Sequence, residues 1–474
     1  MTDSADGVLK AVDDGLDSSM ARLFELLRFA SIATDPAYDG ECQKAAQWLV
    51  GYFRGMGLQA QMHPSTGQPM VVAHYEPKRA GASKNTQLPH VLFYGHYDVQ
   101  PADPVALWTN PPFEPVIGKN KAGRPCIYAR GAADDKGQFM CFTEALRAWL
   151  AVHDSLPFKL TILIEGDEEG DVSHADRFVK ANKALLKADV AWVCDTGMWD
   201  DETPSIITSL RGCVAEEVTI KGPSKDLHSG YFGGAAYNPL KVLSGILGGM
   251  FDSKGRITIP GFYDNVKPPT TAQRKALAKA RFDQKGFLGG VGLKHPAGET
   301  AFTGLEQMWF RPTAEINGMW GGYIGAGGKT VIPSIATAKL TFRLVAGQNP
   351  RRIGKLFRAF VKKNLPKGCS ATFDTYGGYA EAVSVAQDSP WIAAAARALE
   401  AEWKKKPVLA GEGGSIPVVE SFKKHLGIDS VMMGFVRDDD ALHSPDEKYD
   451  VECYHRGMRS YARMIGEIAK GLEQ

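Results

Sequence analysis

Along the first part of the chain, continuous apolar runs alternate with stretches of helical period. Residues 41–56 place Ala45, Trp48, Leu49 and Phe53 on one stripe, which predicts a helix. Residues 90–95 read as a strand, 137–151 as a helix, and 159–165 (Lys-Leu-Thr-Ile-Leu-Ile-Glu) and 189–194 as two further strands. A run without polar alternation suits a strand covered on both faces. Strands alternating with helices indicate a mostly parallel sheet.

The pattern changes after Leu210. Residues 214–221 and 336–344 alternate in polarity, as antiparallel strands with one wet face do. Residues 351–363 predict a helix and 371–376 another strand, so 211–384 read as an inserted α+β domain. A helix over 391–403 and an apolar strand over 430–434 return to the first pattern. Residues 1–210 and 385–474 are therefore expected to form one discontinuous domain. The expected fold class is α/β: a mostly parallel sheet with helices on both faces, plus the insertion. Residues 270–298, rich in Lys, Ala and Gly, read as a surface excursion. No internal repeat or low-complexity tract interrupts this plan.

Composition narrows the function classes. A chain of 474 residues exceeds one ordinary domain. A formal net charge of +1 argues against nucleic acid or an anionic membrane as main partner. No apolar run approaches the roughly 20 residues that span a bilayer. Residues 1–17 are polar and acidic, without the basic region and apolar core of a secretory signal. The seven cysteines are scattered and form no C-x-x-C pair, so no disulfide framework is expected. Cys126, Cys141, Cys194 and Cys213 lie in apolar surroundings and read as core thiols. A cytoplasmic location is expected.

Candidate chemistry stands at the ends of the predicted strands, the edge where open α/β sheets bind ligands. His96-Tyr97-Asp98 ends the first apolar run. Glu165-Gly166-Asp167-Glu168-Glu169-Gly170 ends the next, and its four carboxylates repel one another unless something positive, such as a divalent metal, offsets them. An exposed acidic turn is the plainer alternative. Asp195 follows a third run. Asp134 and Asp135 lie between glycine-containing flanks just before a predicted helix, where an aspartate also serves as an N-cap. His443 follows Asp438-Asp439-Asp440-Ala441-Leu442. Strand ends carrying His96, Glu168-Glu169 and Asp195 should converge on one sheet edge, with Asp134 and His443 joining from loops. Such a nitrogen and oxygen set suits zinc or manganese. Five ligands exceed the three that one catalytic zinc takes, so a two-metal site with a bridging carboxylate is expected. No His-Glu-x-x-His or Gly-x-Ser-x-Gly occurs. Gly328-Lys329-Thr330 is no phosphate loop, because Tyr323 replaces its first glycine.

These motifs, in this order, resemble the di-zinc metallopeptidase family of carboxypeptidases, aminoacylases and dipeptidases, most of all its carnosinase and cytosolic non-specific dipeptidase branch. The resemblance rests on His96-Tyr97-Asp98-Val99-Gln100-Pro101, the segment 131–137, Asp226-Leu227-His228-Ser229-Gly230, Lys329-Thr330-Val331-Ile332-Pro333, Glu412-Gly413-Gly414-Ser415-Ile416-Pro417 and Leu442-His443-Ser444. It covers essentially the whole chain. It implies that His96 and Asp195 hold one metal and Glu169 and His443 the other, with Asp134 bridging. It implies that Asp98 orients His96 and that Glu168 is the general base. By the same resemblance the insertion is a lid and dimerisation domain of a homodimer, whose His228 reaches the partner subunit's active site. Thr330 and Arg343 match positions that contact a substrate's C-terminal carboxylate, and Ser415 lines the same pocket. Without the resemblance, Arg343 would read as a strand-surface ion pair. The implied activity is hydrolysis of dipeptides or very short peptides with a free C-terminal carboxylate, using two divalent ions, zinc first and manganese as the alternative. An N-acyl amino acid deacylase on the same centre is the rival activity, and a non-catalytic homologue the second rival. One departure stands out. The family continues its double glutamate with a small residue and Gly-Ser, whereas here Gly170-Asp171-Val172-Ser173-His174 follows. His174 reads as a surface residue.

Overall fold

The strand His90–His96 is buried along nearly its whole length. Its neighbouring residues face opposite ways. Phe93 stacks on Phe142, with ring centroids 3.9 Å apart, and meets Tyr461 edge-on, whereas Tyr94 meets Phe422. Phe142 belongs to helix Lys136–His153, Tyr461 to helix Val451–Ala469 and Phe422 to the helical segment Phe422–Leu426. Helical elements thus cover both faces, and a strand dry on both faces is apolar throughout. This computed structural model describes residues 4–78, 88–171, 173–280 and 282–471. Val172 of the atypical loop lies outside them.

His90–His96 runs parallel to Lys159–Glu165 on one side and to Val190–Val193 on the other, and Asp429–Met432 extends the parallel set. All four therefore end on one edge. Antiparallel strands flank them: Met70–Tyr75 and Gln59–His63 on one margin, Ser205–Leu210 on the other. The α/β expectation holds, with antiparallel margins on a sheet of nine strands. A separate sheet pairs Pro125–Tyr128 with both Val116–Lys119 and Lys448–Asp450. Its register sets Tyr128 opposite Lys448, so the chain leaving one strand starts beside the chain entering the other. That pairing brings the Asp134 loop and the His443 loop together.

The chain forms two compact units. One holds the chain up to Thr208, Val385–Ala410 and everything from Ile416 on; the other holds Ser209–Ser384 and Gly411–Ser415. In the second unit Thr313–Gly321, Ile335–Leu344, Gly212–Lys221 and Ser370–Ala380 form an antiparallel sheet in that order. Val214, Val218 and Ile220 face a core shared with Leu243, Phe342 and Phe357. Glu216 points the same way and is buried, and Arg358 of helix Pro350–Asn364 neutralises it with two bonds of 2.8 and 3.1 Å. Residues 270–298 are largely exposed, as expected, and carry two helices, Thr271–Lys279 and Gln284–Gly290. Cys126, Cys141 and Cys194 are core thiols, but Cys213 is only half-buried, because it lies on a strand beside Arg343. Among the described residues no helix is long and apolar enough to cross a membrane.

Candidate metal centre

Each residue on the shared edge is placed by the element that delivers it. His96 ends its strand fully buried. Its Nδ1 lies 3.1 Å from the Asp98 carbonyl oxygen and 3.4 Å from Asp98 Oδ1, so the ring proton on Nδ1 has acceptors there and Nε2 is left for a ligand. Nε2 faces Asp134 Oδ1 at 3.0 Å. The other Asp134 oxygen faces His443 Nε2 at 2.9 Å, and that nitrogen lies 3.1 Å from Glu169 Oε1. Donor atoms of His96, Asp134 and Asp195 lie within 4.8 Å of one another, and so do those of Asp134, Glu169 and His443. Asp134 belongs to both groups and gives one oxygen to each imidazole.

Charge makes the site cation-seeking. Burial alone would lower the His96 pKa, but the carboxylates of Asp134, Asp98 and Asp135 raise it well above the ordinary imidazole value. Hydrogen bonds to Asp134 and Glu169 push His443 up to about 10. Asp134 is held below the ordinary carboxylate range by His443 and His96 despite its burial. In the bare protein, protons on the two imidazoles supply the positive charge that the carboxylates demand. Divalent ions would take over that role and release those protons. The donor set therefore fits two metals.

Glu168 belongs to neither group. It is pushed well above the ordinary carboxyl pKa by burial and by Asp195, Glu169 and Glu165, with His96 opposing. The Asp98 carboxylate accepts the backbone N–H of Glu168 at 3.1 Å and of Glu169 at 2.9 Å. One buried carboxylate thus backs His96 and also sets the turn that carries both glutamates. Gln100 donates to Glu169 Oε2 at 2.8 Å.

His443 is presented by an unusual loop. Ala441, His443 and Asp446 all have positive φ, between 56° and 59°. Left-handed backbone at non-glycine positions costs on the order of 1 kcal/mol or more each and often marks a functional site. Asp446 anchors the loop by accepting from Thr109 N–H and Oγ1 at 2.7 and 2.8 Å.

Several supporting residues escape a sequence reading. Asp135 makes no side-chain N-cap bond to its helix; it accepts the His96 N–H at 3.1 Å instead. Glu447, fully buried, accepts the N–H groups of Gly131, Ala133 and Asp134 and one from the Arg130 guanidinium. Its only signal is its position four residues after His443. His174 is a correction: its side chain is 16% exposed and pairs with Asp167, because helix Ser173–Ala181 starts there and turns the ring back over the acidic turn.

In the second unit, His228 and Thr330 come together. His228–Val331 and Leu227–Ile332 form a short ladder, and Ser229 N–H donates to the Thr330 carbonyl at 3.0 Å. His228 is exposed, and its Nδ1 accepts the Gly230 N–H at 3.0 Å, which places the proton of the neutral ring on Nε2. Arg343 and Ser415 also meet, Nη1 donating to Oγ at 3.2 Å.

The sequence model of Peptidase family M20/M25/M40 matches residues 92–467. The chain belongs to this family. It is 30% identical over 460 residues to the Cys-Gly metallodipeptidase DUG1 of Candida albicans, covering 93% of this chain and 92% of that protein. It is 30% identical over 399 residues to the human Beta-Ala-His dipeptidase, covering 80% of this chain and 75% of that one. Its fold matches the solved structure of the di-peptidase Dug1p from Saccharomyces cerevisiae with a TM-score of 0.82 at 25% identity, covering 100% of both chains.

Proposed function

We propose that this peptidase is a metal-dependent dipeptidase that hydrolyses dipeptides or very short peptides with a free C-terminal carboxylate. The observation that carries the reading is the pair of ligand groups sharing Asp134, with Glu168 beside them but in neither. The Cys-Gly and Beta-Ala-His dipeptidase relatives support the substrate class. Zinc is the proposed ion and manganese the alternative, since both accept imidazole and carboxylate. His96, Asp134 and Asp195 would hold one ion, and Asp134, Glu169 and His443 the other. Ions bound there would lower the pKa of a water and polarise the scissile carbonyl. Glu168 takes the proton of the attacking water and returns it to the leaving amine. His228 donates from Nε2 to the developing oxyanion. Arg343 clamps the substrate carboxylate with its planar fork, and Thr330 and Ser415 complete the binding surface.

A substrate panel tests this. The protein loaded with Zn²⁺ or Mn²⁺ is expected to cleave dipeptides and to leave N-acetyl amino acids largely intact. Cleavage of the N-acetyl series alone would instead make it an N-acyl amino acid deacylase.

We further propose a homodimer with His228 acting across it. The edge strand Thr313–Gly321 exposes the apolar residues Ile316, Met319 and Trp320, an unpaired edge suited to a second copy. His228→Ala is expected to lower kcat by about a hundredfold with metal content unchanged. Mixing refolded His228→Ala and Glu168→Gln subunits should then regain activity, because each mixed dimer assembles one complete site. Mixtures that stay inactive would place His228 in its own subunit's site or outside catalysis. All seven cysteines are free thiols, which supports a reducing compartment, the cytoplasm.

A further inference from the structure

Arg211 is the one residue between strands Ser205–Leu210 and Gly212–Lys221. Its backbone and side chain both grip the segment Gly411–Ser415. Arg211 N–H donates to the Gly414 carbonyl at 3.2 Å, and Nε donates to the Gly413 carbonyl at 2.9 Å. The Arg211 carbonyl in turn accepts the Ser415 hydroxyl. Gly413 leaves the guanidinium room, since a Cβ there would stand 3.2 Å from Nη2. The Ser415 oxygen also receives Arg343 Nη1. Ser415 therefore joins the Arg211 backbone to the Arg343 guanidinium, and the Arg211 guanidinium lies one turn of chain away at Gly413, with the hydroxyl proton already committed to a backbone carbonyl.

Glu315 and Glu412 of the same unit offset the Arg211 charge only in part. Among the described residues neither guanidinium has a carboxylate ion-pair partner, and Arg211 Nη1 is buried with no hydrogen-bond partner at all. Burial, and next the Arg343 charge, push the Arg211 pKa down to about 10. Two half-buried like charges with a donor left over are an arrangement that an anion would complete. Bracing the Gly413 carbonyl uses only Nε and leaves the Nη groups unexplained.

We infer that Arg211 is a second binding group for the substrate's carboxylate, forming with Arg343 a two-guanidinium site that selects free-acid over neutral C-termini. The inference rests on the dipeptidase reading for its ligand. In this site each carboxylate oxygen can face its own guanidinium. Ser415 holds the two arginines in place and donates nothing to the ligand, because its proton goes to the Arg211 carbonyl.

The test compares a dipeptide with its C-terminal amide on the metal-loaded, full-length protein. Arg211→Met is expected to lower kcat/KM for the free acid by about tenfold to a hundredfold, chiefly through KM, the range for losing a charge-assisted bond. Amide turnover should stay within about twofold of the unmutated protein, because the amide never engages that charge. Arg211→Lys, which keeps the charge but not the fork, should recover part of the loss. Equal losses on acid and amide would reduce Arg211 to a brace and overturn the inference, as would no loss on either. A calorimetric arm titrates both ligands into the zinc-loaded Glu168→Gln protein, with and without Arg211→Met. If the unmutated protein cleaves no dipeptide, yet the acid binds tighter than the amide and only through Arg211, the dipeptidase reading falls and the anion site stands. If acid and amide bind alike, or neither binds, the anion site falls whatever the activity.

Discussion

Glu168→Gln is expected to leave a protein that takes up its metals yet turns over dipeptides at least about a thousandfold more slowly. Gln keeps the size of the side chain and removes its basic oxygen. Glu168 is in neither ligand group, so the ions lose no donor. Its backbone is held from behind by Asp98, a contact the substitution does not touch. Glu169→Gln is the contrasting case. Glu169 Oε1 is 3.1 Å from His443 Nε2 inside the second group, so removing its charge should lower metal content first and activity in consequence. Stripping the unmutated protein with a chelator should reproduce that loss, and Zn²⁺ or Mn²⁺ should reverse it. Metal analysis per subunit beside dipeptide turnover separates the two variants. A Glu168→Gln protein without metal, or a Glu169→Gln protein with full metal and full turnover, would reverse the assigned roles.

The residues that bear on this contrast differ in how visible they are from the chain alone. His96, Glu169 and Asp195 are legible because each follows a run too continuously apolar for anything but a strand covered on both faces. Parallel neighbours then bring the run ends to one edge. Asp134 and His443 are legible as residue types in a motif, but their meeting depends on the pairing of Tyr128 with Lys448, which no local period announces. Asp98 is half legible. Its place behind His96 follows from a two-residue separation, whereas its grip on the glutamate turn spans 70 and 71 positions. Arg211 grips Gly413 and Ser415 across 202 and 204 positions and reads locally as a strand-end charge. His174 is misread for a shorter-range reason. A polar loop after four carboxylates looks solvated, and only the onset of helix Ser173–Ala181 folds its ring inward. Periodicity reports burial of apolar faces, and it is silent about polar groups that are buried because they are bonded.

Glu447 is the extreme of that silence and carries the second large effect. Between Asp446 and Lys448 it resembles a charged surface turn, yet its partners lie 313 to 317 positions away and it is fully buried. The loop bearing Asp134 wraps around its carboxylate, with Gly131 at φ 82° allowing the bend. Three backbone N–H groups at 2.9 to 3.1 Å and the Arg130 guanidinium at 2.8 Å converge on its two oxygens. Arg130 is itself buried and lies 5.2 Å from the centroid of the Trp108 ring. Glu447→Ala leaves a buried cation and three buried donors without their acceptor. Breaking such a buried pair costs about 3–5 kcal/mol, which thermal unfolding should register as a clear loss of stability. Because the released loop holds the carboxylate shared by both ligand groups, metal affinity should fall by about tenfold to a hundredfold, read by chelator competition at a temperature where the variant is still folded. Excess metal should then restore much of the turnover with KM nearly unchanged, since Glu447 meets no substrate. A Glu447→Ala protein of ordinary stability and ordinary metal affinity would show that the Asp134 loop holds its shape without this carboxylate.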